Sequence, residues 1–193
     1  MKNLLIGFAV VATATTLSFA SPFGAEEEEE HFDAWFRNVD GKVVTGSRFE
    51  DLSFRSLNER VFGAEMGEDP LFPFSADEPG FQSFGDDQGF GNNWDPFTVF
   101  TFNITRTLQV WNGSGFDDAD ETMNMSFEGD SVDSGIGQVG GFTFGGSPSG
   151  TLHDHFELTL NGAGGDPDNG VYLLGLSVGV DGDASSFSEE FFF

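Results

Sequence analysis

The chain lacks cysteine altogether and is poor in basic residues, with seven lysines and arginines against 33 acidic residues. Without cysteine it can form no disulfide framework, no thiol nucleophile and no zinc–thiolate cluster. A formal net charge of −26 at pH 7 repels nucleic-acid phosphate and anionic lipid and attracts cations. We therefore exclude nucleic acid as a partner. Stability must come from a core that 25 phenylalanines and three tryptophans can supply.

Long apolar runs are lacking beyond the N-terminus. The first 20 residues resemble a signal peptide, with Lys2, an apolar stretch over residues 4–17 and small residues at Ser18 and Ala20. Residues 21–30 end in five glutamates and are expected to form a disordered acidic leader. No later stretch of about 18 apolar residues follows, so the mature chain is expected to have no transmembrane segment. These features predict a secreted, periplasmic or cell-surface protein.

Residues 31–193 are predicted to form one all-β domain, an antiparallel β-sandwich or jelly-roll with long loops rich in Gly, Pro and Asp. Apolar residues recur with period two in several runs, among them residues 97–104, 122–127 and 152–160. Asp40-Gly41 between two β-prone runs predicts a hairpin. Short strands are also expected over residues 60–63 and 186–193, where the last strand could be truncated. A short helix is considered only over residues 51–59.

The three histidines are the most informative residues for function. His153 and His155 are separated by one residue within the predicted strand 152–160, and Glu157 follows at the same spacing. Residues i and i+2 of a strand point to the same face, so these three side chains should project together. Phe156 and Leu158 should face the opposite way, toward the core. Two imidazoles and a carboxylate on one face are suited to binding a divalent metal ion.

His31 and Asp33 repeat the same spacing at the start of the first predicted strand. We therefore predict one metal site in which His153 and His155 are nitrogen ligands and His31, with either Asp33 or Glu157, completes the ligand set. Without thiolates, the ions that suit imidazole and carboxylate ligands are Zn²⁺ first and Cu²⁺ as an alternative. Calcium is a further alternative, because residues 117–121, 166–169 and 181–183 are oxygen-rich turns, although none has EF-hand spacing.

Enzymatic motifs are scarce. The chain has no Gly-x-Ser-x-Gly elbow, no phosphate-cradling loop and no dinucleotide fingerprint. We therefore favour a binding protein over an enzyme, with a metallohydrolase as the less favoured option. Trp35, Trp94 and Trp111 could instead stack on sugars, so a calcium-stabilised extracellular module that binds carbohydrate or protein is the main alternative.

Several segments resemble a group of exported proteins of planctomycetes and cyanobacteria that often carry a PEP-CTERM sorting tail. The segments that carry the resemblance span nearly the whole mature chain: residues 31–35, 40–46, 60–65, 78–81, 108–113, 121–123, 152–156 and 169–174. One cyanobacterial branch of the group is named for repression by the zinc-uptake regulator. The resemblance implies an exported, zinc-linked protein, and its histidine motifs match His31, Asp33, His153 and His155. The sequence departs from the group at Phe191-Phe192-Phe193, where it stops without a Pro-Glu-Pro motif, so that either anchoring is absent or the sequence is truncated, and the resemblance does not imply sorting to the envelope.

Overall fold

The computed structural model of the protein describes residues 32–49, 55–67, 69–85 and 94–193. Within these ranges the chain forms strands, turns and loops and contains no helix. The predicted all-β class is therefore confirmed. No helix in the described ranges is long and apolar enough to cross a membrane. The predicted signal peptide, the acidic leader and His31 lie outside the described residues.

Sixteen strands succeed one another in the described part of the chain. In order they are β1 (Phe32–Val39), β2 (Lys42–Phe49), β3 (Arg55–Ser56), β4 (Ser75–Ala76), β5 (Phe81–Ser83), β6 (Val99–Ile104), β7 (Gln109–Trp111), β8 (Phe116–Asp118), β9 (Thr122–Phe127), β10 (Asp130–Asp133), β11 (Val139–Gly145), β12 (Leu152–Asp154), β13 (Glu157–Asn161), β14 (Tyr172–Leu173), β15 (Gly175–Val180) and β16 (Phe191–Phe192).

These strands build four sheets. The largest has the order β12-β5-β1-β2-β3, two four-stranded sheets have the orders β10-β9-β13-β4 and β11-β6-β15-β16, and a small sheet has the order β14-β7-β8. Every strand pair is antiparallel except β1 with β5, which is parallel. This arrangement is the sandwich-like architecture that the alternating sequence pattern predicts.

The predicted hairpin is present between β1 and β2. Asp40 and Gly41 occupy the turn with φ angles of 54° and 85°, and the Gly41 N–H donates to Asn38 Oδ1 at 2.9 Å. Both turn residues need positive φ, which Asp tolerates and Gly adopts freely. The turn sets a register in which Asp33 lies opposite Arg48.

The core is largely aromatic, as the composition predicts. Phe36 stacks on Phe81 with ring centroids 5.3 Å apart, and Phe81 meets Phe156 edge to face at 4.6 Å. Phe100 and Phe102 of β6 are also fully buried, which confirms the period-two prediction for this strand. Each such ring removes on the order of 150–250 Å² from water, so aromatic packing can hold a cysteine-free domain together.

Four local predictions need correction. Residues 152–160 form two strands rather than one, because β12 pairs with β5 whereas β13 pairs with β9 and β4, so the chain changes sheets at residues 155–156. Residues 60–63 form only an isolated bridge from Val61 to Phe192, and the strand predicted over 186–193 is limited to β16. The described part of the segment 51–59 contains β3 instead of a helix. Whether a short segment forms a strand depends on which neighbouring strand it can pair with, and the periodicity of the sequence does not identify that partner.

Candidate metal centre

Three of the predicted ligands meet in space. Asp33, His153 and His155 each offer one ligand atom, and these atoms all lie within 4.8 Å of one another. The two imidazole Nε2 atoms are 3.0 Å apart, and His153 Nε2 is 3.1 Å from Asp33 Oδ2. This three-residue cluster could hold a metal ion, and it is the one group of three or more such residues within the described ranges.

Strand pairing brings distant parts of the chain to this cluster. Asp33 lies on β1, and the parallel pairing of β1 with β5 places Trp35 beside Gln82. The antiparallel pairing of β5 with β12 then places His153 directly opposite Gln82. Asp33, Gln82 and His153 therefore project from the same face of three adjacent strands.

The Asp33 carboxylate is fully buried and its oxygens are held by fixed donors. Oδ1 accepts a hydrogen bond from the Gly80 N–H at 3.0 Å, and Oδ2 accepts one from Gln82 Nε2 at 2.8 Å. Gln82 is itself buried, with 4% of its surface exposed. Two fixed donors hold the orientation of the carboxylate, which is what a metal ligand requires.

His155 is oriented from its other nitrogen. Nδ1 lies 3.1 Å from the Asp77 carbonyl oxygen and 3.3 Å from Glu78 Oε1. A hydrogen on Nδ1 donates to these oxygens, so Nε2 then presents its lone pair toward His153 and Asp33. A metal-bound histidine usually has such a carbonyl or carboxylate partner, which fixes the tautomer of the ring.

Two of the separations between ligand atoms are close to those around a single small cation. With metal–ligand bonds of about 2.05 Å, the 3.0 Å between the two Nε2 atoms and the 3.1 Å between His153 Nε2 and Asp33 Oδ2 correspond to angles of roughly 95° at the ion. An ideal tetrahedral site needs about 3.3 Å, so these two pairs would move apart by only a few tenths of an ångström, while the ligand atoms of Asp33 and His155 lie within 4.8 Å of each other. Three protein ligands leave at least one coordination position for water or a further ligand.

Gly80 closes the inner side of the cluster. A Cβ atom at this position would lie 2.8 Å from Asp33 Oδ1 and 3.0 Å from His155 Cε1. Real Cβ atoms do not approach other atoms so closely. Only glycine therefore lets the backbone at residue 80 approach the carboxylate and donate its N–H.

The outer side of the cluster is open to solvent and strongly acidic. His153 and His155 expose 33% and 30% of their side chains. A cavity of about 600 Å³ begins at His155, and its lining includes five acidic residues: Asp69, Asp77, Glu128, Asp130 and Glu157. Burial raises the pKa of the neighbouring Asp154 carboxyl, and the charge of Glu128 raises it further. Such a concentration of carboxylates favours cations over anions at this face.

Of the two remaining predicted ligands, only Glu157 lies among the described residues, and it is not part of the cluster. Glu157 is exposed on β13, where it pairs with Ser126, and it lines the acidic cavity. The strand phase itself is confirmed, because Phe156 and Leu158 are 1% and 2% exposed on the opposite face. His31 lies outside the described residues, so its place in the ligand set stays a prediction.

Sequence reasoning missed Gly80 and Gln82. Gly80 falls in the segment 78–81 that carries part of the family resemblance, but neither residue type indicates metal chemistry. Their role depends on the parallel pairing of β1 with β5, which joins residues 47 positions apart. No local pattern encodes such a pairing.

The aromatic platform and the calcium turns receive less support. Trp35 and Trp94 are 4% and 5% exposed, so neither offers a free face to a sugar, whereas Trp111 is 46% exposed. In the described part of the chain, none of the acidic turns at residues 117–121, 166–169 and 181–183 forms a three-residue cluster like that of Asp33.

No family model, curated protein or solved structure matches this chain.

Proposed function

We propose that this protein is an exported binding protein for a divalent transition metal, with Zn²⁺ as the physiological ion. The observation that carries the proposal is the convergence of Asp33 Oδ2 and the Nε2 atoms of His153 and His155 around one point. Two imidazoles and one carboxylate are a ligand set that zinc accepts, and calcium prefers oxygen ligands alone. Export to the periplasm, envelope or extracellular space is supported by the signal-like N-terminus, and the zinc-linked family resemblance agrees with both parts.

A metal centre, rather than a hydrogen-bonded carboxylate–imidazole network, is favoured by the two Nε2 atoms. One cation can accept both imidazole lone pairs and balance the carboxylate charge at the same time. Without a cation, a single proton on His153 Nε2 would have to be shared between His155 Nε2 and Asp33 Oδ2. The preorganised partners Gly80, Gln82 and Asp77 support the same conclusion, because they hold the ligands from outside.

Titration calorimetry of the metal-free protein, without a histidine tag, tests the proposal. We expect one Zn²⁺ per chain, and loss of that binding in the double variant His153→Ala, His155→Ala. The exposed Glu157→Gln variant is the matched control and should keep an affinity within about threefold of the original, because Glu157 lies outside the cluster. Unchanged zinc binding in the double histidine variant would refute the proposal.

The ion itself is identified by elemental analysis of the mature protein purified without added metal. Competition between Zn²⁺ and Cu²⁺ must be interpreted with the general order of affinities, in which Cu²⁺ binds such ligands more tightly. Zinc as the major bound element supports the proposed function, whereas calcium as the only bound element contradicts it.

The acidic cavity beside His155 gives one reason to consider a metallohydrolase as a second function. A three-ligand ion with an open position next to a cavity could activate a water molecule. Zinc-dependent ester hydrolysis that disappears in the double histidine variant would support this activity. A zinc-loaded protein that hydrolyses no activated ester or phosphodiester faster than free Zn²⁺ would exclude it.

A further inference from the structure

A second and larger cavity lies apart from the metal cluster. It has a volume of about 1000 Å³ and lies among the segment 61–67, strands β9, β13 and β14, and the loop 167–171. Its floor consists of buried apolar side chains: Phe62, Met123, Leu158, Leu160 and Leu174. Close packing of protein interiors rarely leaves a space of this volume, whereas cavities of about 300–1,000 Å³ are typical of ligand-binding sites. It shares no lining residue with the cluster of Asp33, His153 and His155.

The charged residues that line this cavity are all of one sign. Glu65 and Asp168 are its charged lining residues, both are exposed, and no lysine, arginine or histidine lines it among the described residues. The other polar lining residues are Asn169 and Tyr172. The Tyr172 hydroxyl donates to the Asp168 carbonyl at 2.8 Å, so its hydrogen is already used and its oxygen remains as an acceptor. The floor is thus apolar, and the exposed charged groups that line the cavity are both anions.

The electrostatic environment of Tyr172 agrees with this description. Burial raises the pKa of Tyr172 to about 12, and the nearby carboxylates of Glu121 and Asp168 raise it as well. A phenolate is disfavoured there because the surroundings are already negative. An anionic ligand head would meet the same penalty.

We propose that this cavity binds an amphipathic cation, a molecule with a hydrocarbon body and an ammonium-type head. The body would lie on the apolar floor, where burial of each CH₂ group is favourable. The head would lie near Glu65 and Asp168 at the exposed side. Fatty acids and other anionic amphiphiles have the same kind of body but the wrong charge for this cavity.

Two probes with the same tail and opposite heads test this proposal. Decyltrimethylammonium and decyl sulfate are titrated into the full chain by calorimetry, each below its micelle concentration. We expect decyltrimethylammonium to bind with one-to-one stoichiometry and about tenfold or more tightly than decyl sulfate. Equal binding of the two probes, tighter binding of the sulfate or no saturable binding of the cation would overturn the proposal.

Charge variants separate a local effect from the acidity of the whole protein. The double variant Glu65→Gln, Asp168→Asn should reduce the preference for the cation to about twofold or less. The matched control Asp95→Asn, Asp181→Asn removes two exposed charges that do not line the cavity and should keep the preference. If both double variants reduce the preference equally, the cation is attracted by the net charge and not by this cavity.

A pair of glycine variants locates the binding. Gly63 lines the cavity and an added Cβ would meet no atom within 4 Å, so Gly63→Phe starts a bulky side chain at the cavity wall without a clash at Cβ. It should weaken binding of decyltrimethylammonium about tenfold or more by occupying part of the volume. Gly164 is equally unobstructed but lies outside the cavity, so Gly164→Phe should bind as the original does. Full binding in the Gly63→Phe protein would show that the probe binds elsewhere.

Discussion

Replacing Asp33 by asparagine is the most direct way to separate metal ligation from a structural role. The side chain keeps its shape but loses its charge and one of its two acceptor oxygens. In the protein, Oδ1 accepts from Gly80 and Oδ2 accepts from Gln82, so in the variant one of these donors faces an NH₂ group. Loss of a buried hydrogen bond of this kind costs about 1–3 kcal/mol of stability. This cost is the same with and without zinc.

The zinc-dependent part of the stability carries the prediction. At a free Zn²⁺ concentration of about 100 times the dissociation constant, one bound ion stabilises the folded state by about 2.7 kcal/mol. For a domain of this size that corresponds to a rise in Tm of about 5–11 °C. If Asp33→Asn weakens binding about 100-fold, the gain at the same zinc concentration falls to about 0.4 kcal/mol, or about 1–2 °C.

Differential scanning calorimetry with and without Zn²⁺ measures both quantities on the same samples. The absolute Tm of the variant reports the lost hydrogen bond, and the difference between the two scans reports ligation. Asp118→Asn is the matched control, since Asp118 is exposed on β8 and loses the same charge. Its zinc-dependent rise should equal that of the original protein. A full rise in the Asp33→Asn variant would show that Asp33 is not a ligand.

Three further predictions concern Gly80, which closes the inner side of the cluster, and two groups elsewhere, the phenol of Tyr172 and the carboxylate of Glu190. Gly80→Ala should weaken zinc binding by about tenfold or more in calorimetry, because its Cβ would lie 2.8 Å from Asp33 Oδ1; unchanged affinity would show that the backbone at residue 80 can retreat. Tyr172 is the only tyrosine, so absorbance titration should show one phenol with a midpoint near the raised pKa of about 12. The free energy of unfolding that the neutral phenol contributes is present below about pH 10 and should be lost as the pH rises through about 12. A midpoint near 10 would contradict the burial of this side chain. Burial alone would raise the pKa of Glu190, but hydrogen bonds from Arg106 and Thr105 outweigh it and the pKa lies below its usual range. Glu190→Gln should therefore lower the Tm at neutral pH by only a few degrees, because solvent screens the partly exposed pair of Arg106 and Glu190. The difference in Tm between the variant and the original protein should vanish as the pH falls through the lowered pKa of Glu190. A difference in Tm that persists at about pH 2 would contradict this prediction.

The fold class, and the three residues that form the cluster, Asp33, His153 and His155, could be predicted from the sequence. Period-two patterns identify strands such as β6 and β9 because the side chains of a half-buried strand alternate between two faces. As that alternation predicts, His153 and His155 are partly exposed and Phe156 is buried, although residues 155–156 lie between β12 and β13. Predictions of this kind use only neighbours in the sequence, for which the sequence contains the information.

Prediction failed where the answer depends on which strands become neighbours. The segment 152–160 has the pattern of one strand, yet it divides because its two halves find partners in different sheets. Gly80 and Gln82 became part of the site only through the pairing of β5 with both β1 and β12. The pairing of strands that are distant in sequence is set by the packing of the whole core. Gly80 and Gln82, whose residue types do not bind metals, therefore come to hold the Asp33 carboxylate, and their types do not predict this role.

The position of the cluster also couples metal binding to the fold. β12 is a three-residue strand at the edge of its sheet, and within that sheet it pairs only with β5. An ion bound to Asp33 on β1 and His153 on β12 would span β5 and tie this edge to the long β1–β2 hairpin. Binding free energy then becomes stabilisation of the sheet, because the ligands are far apart in an unfolded chain. A protein that cannot use disulfides would in this way obtain a cross-link from two imidazoles and one buried carboxylate, and it would keep that cross-link only while zinc is available.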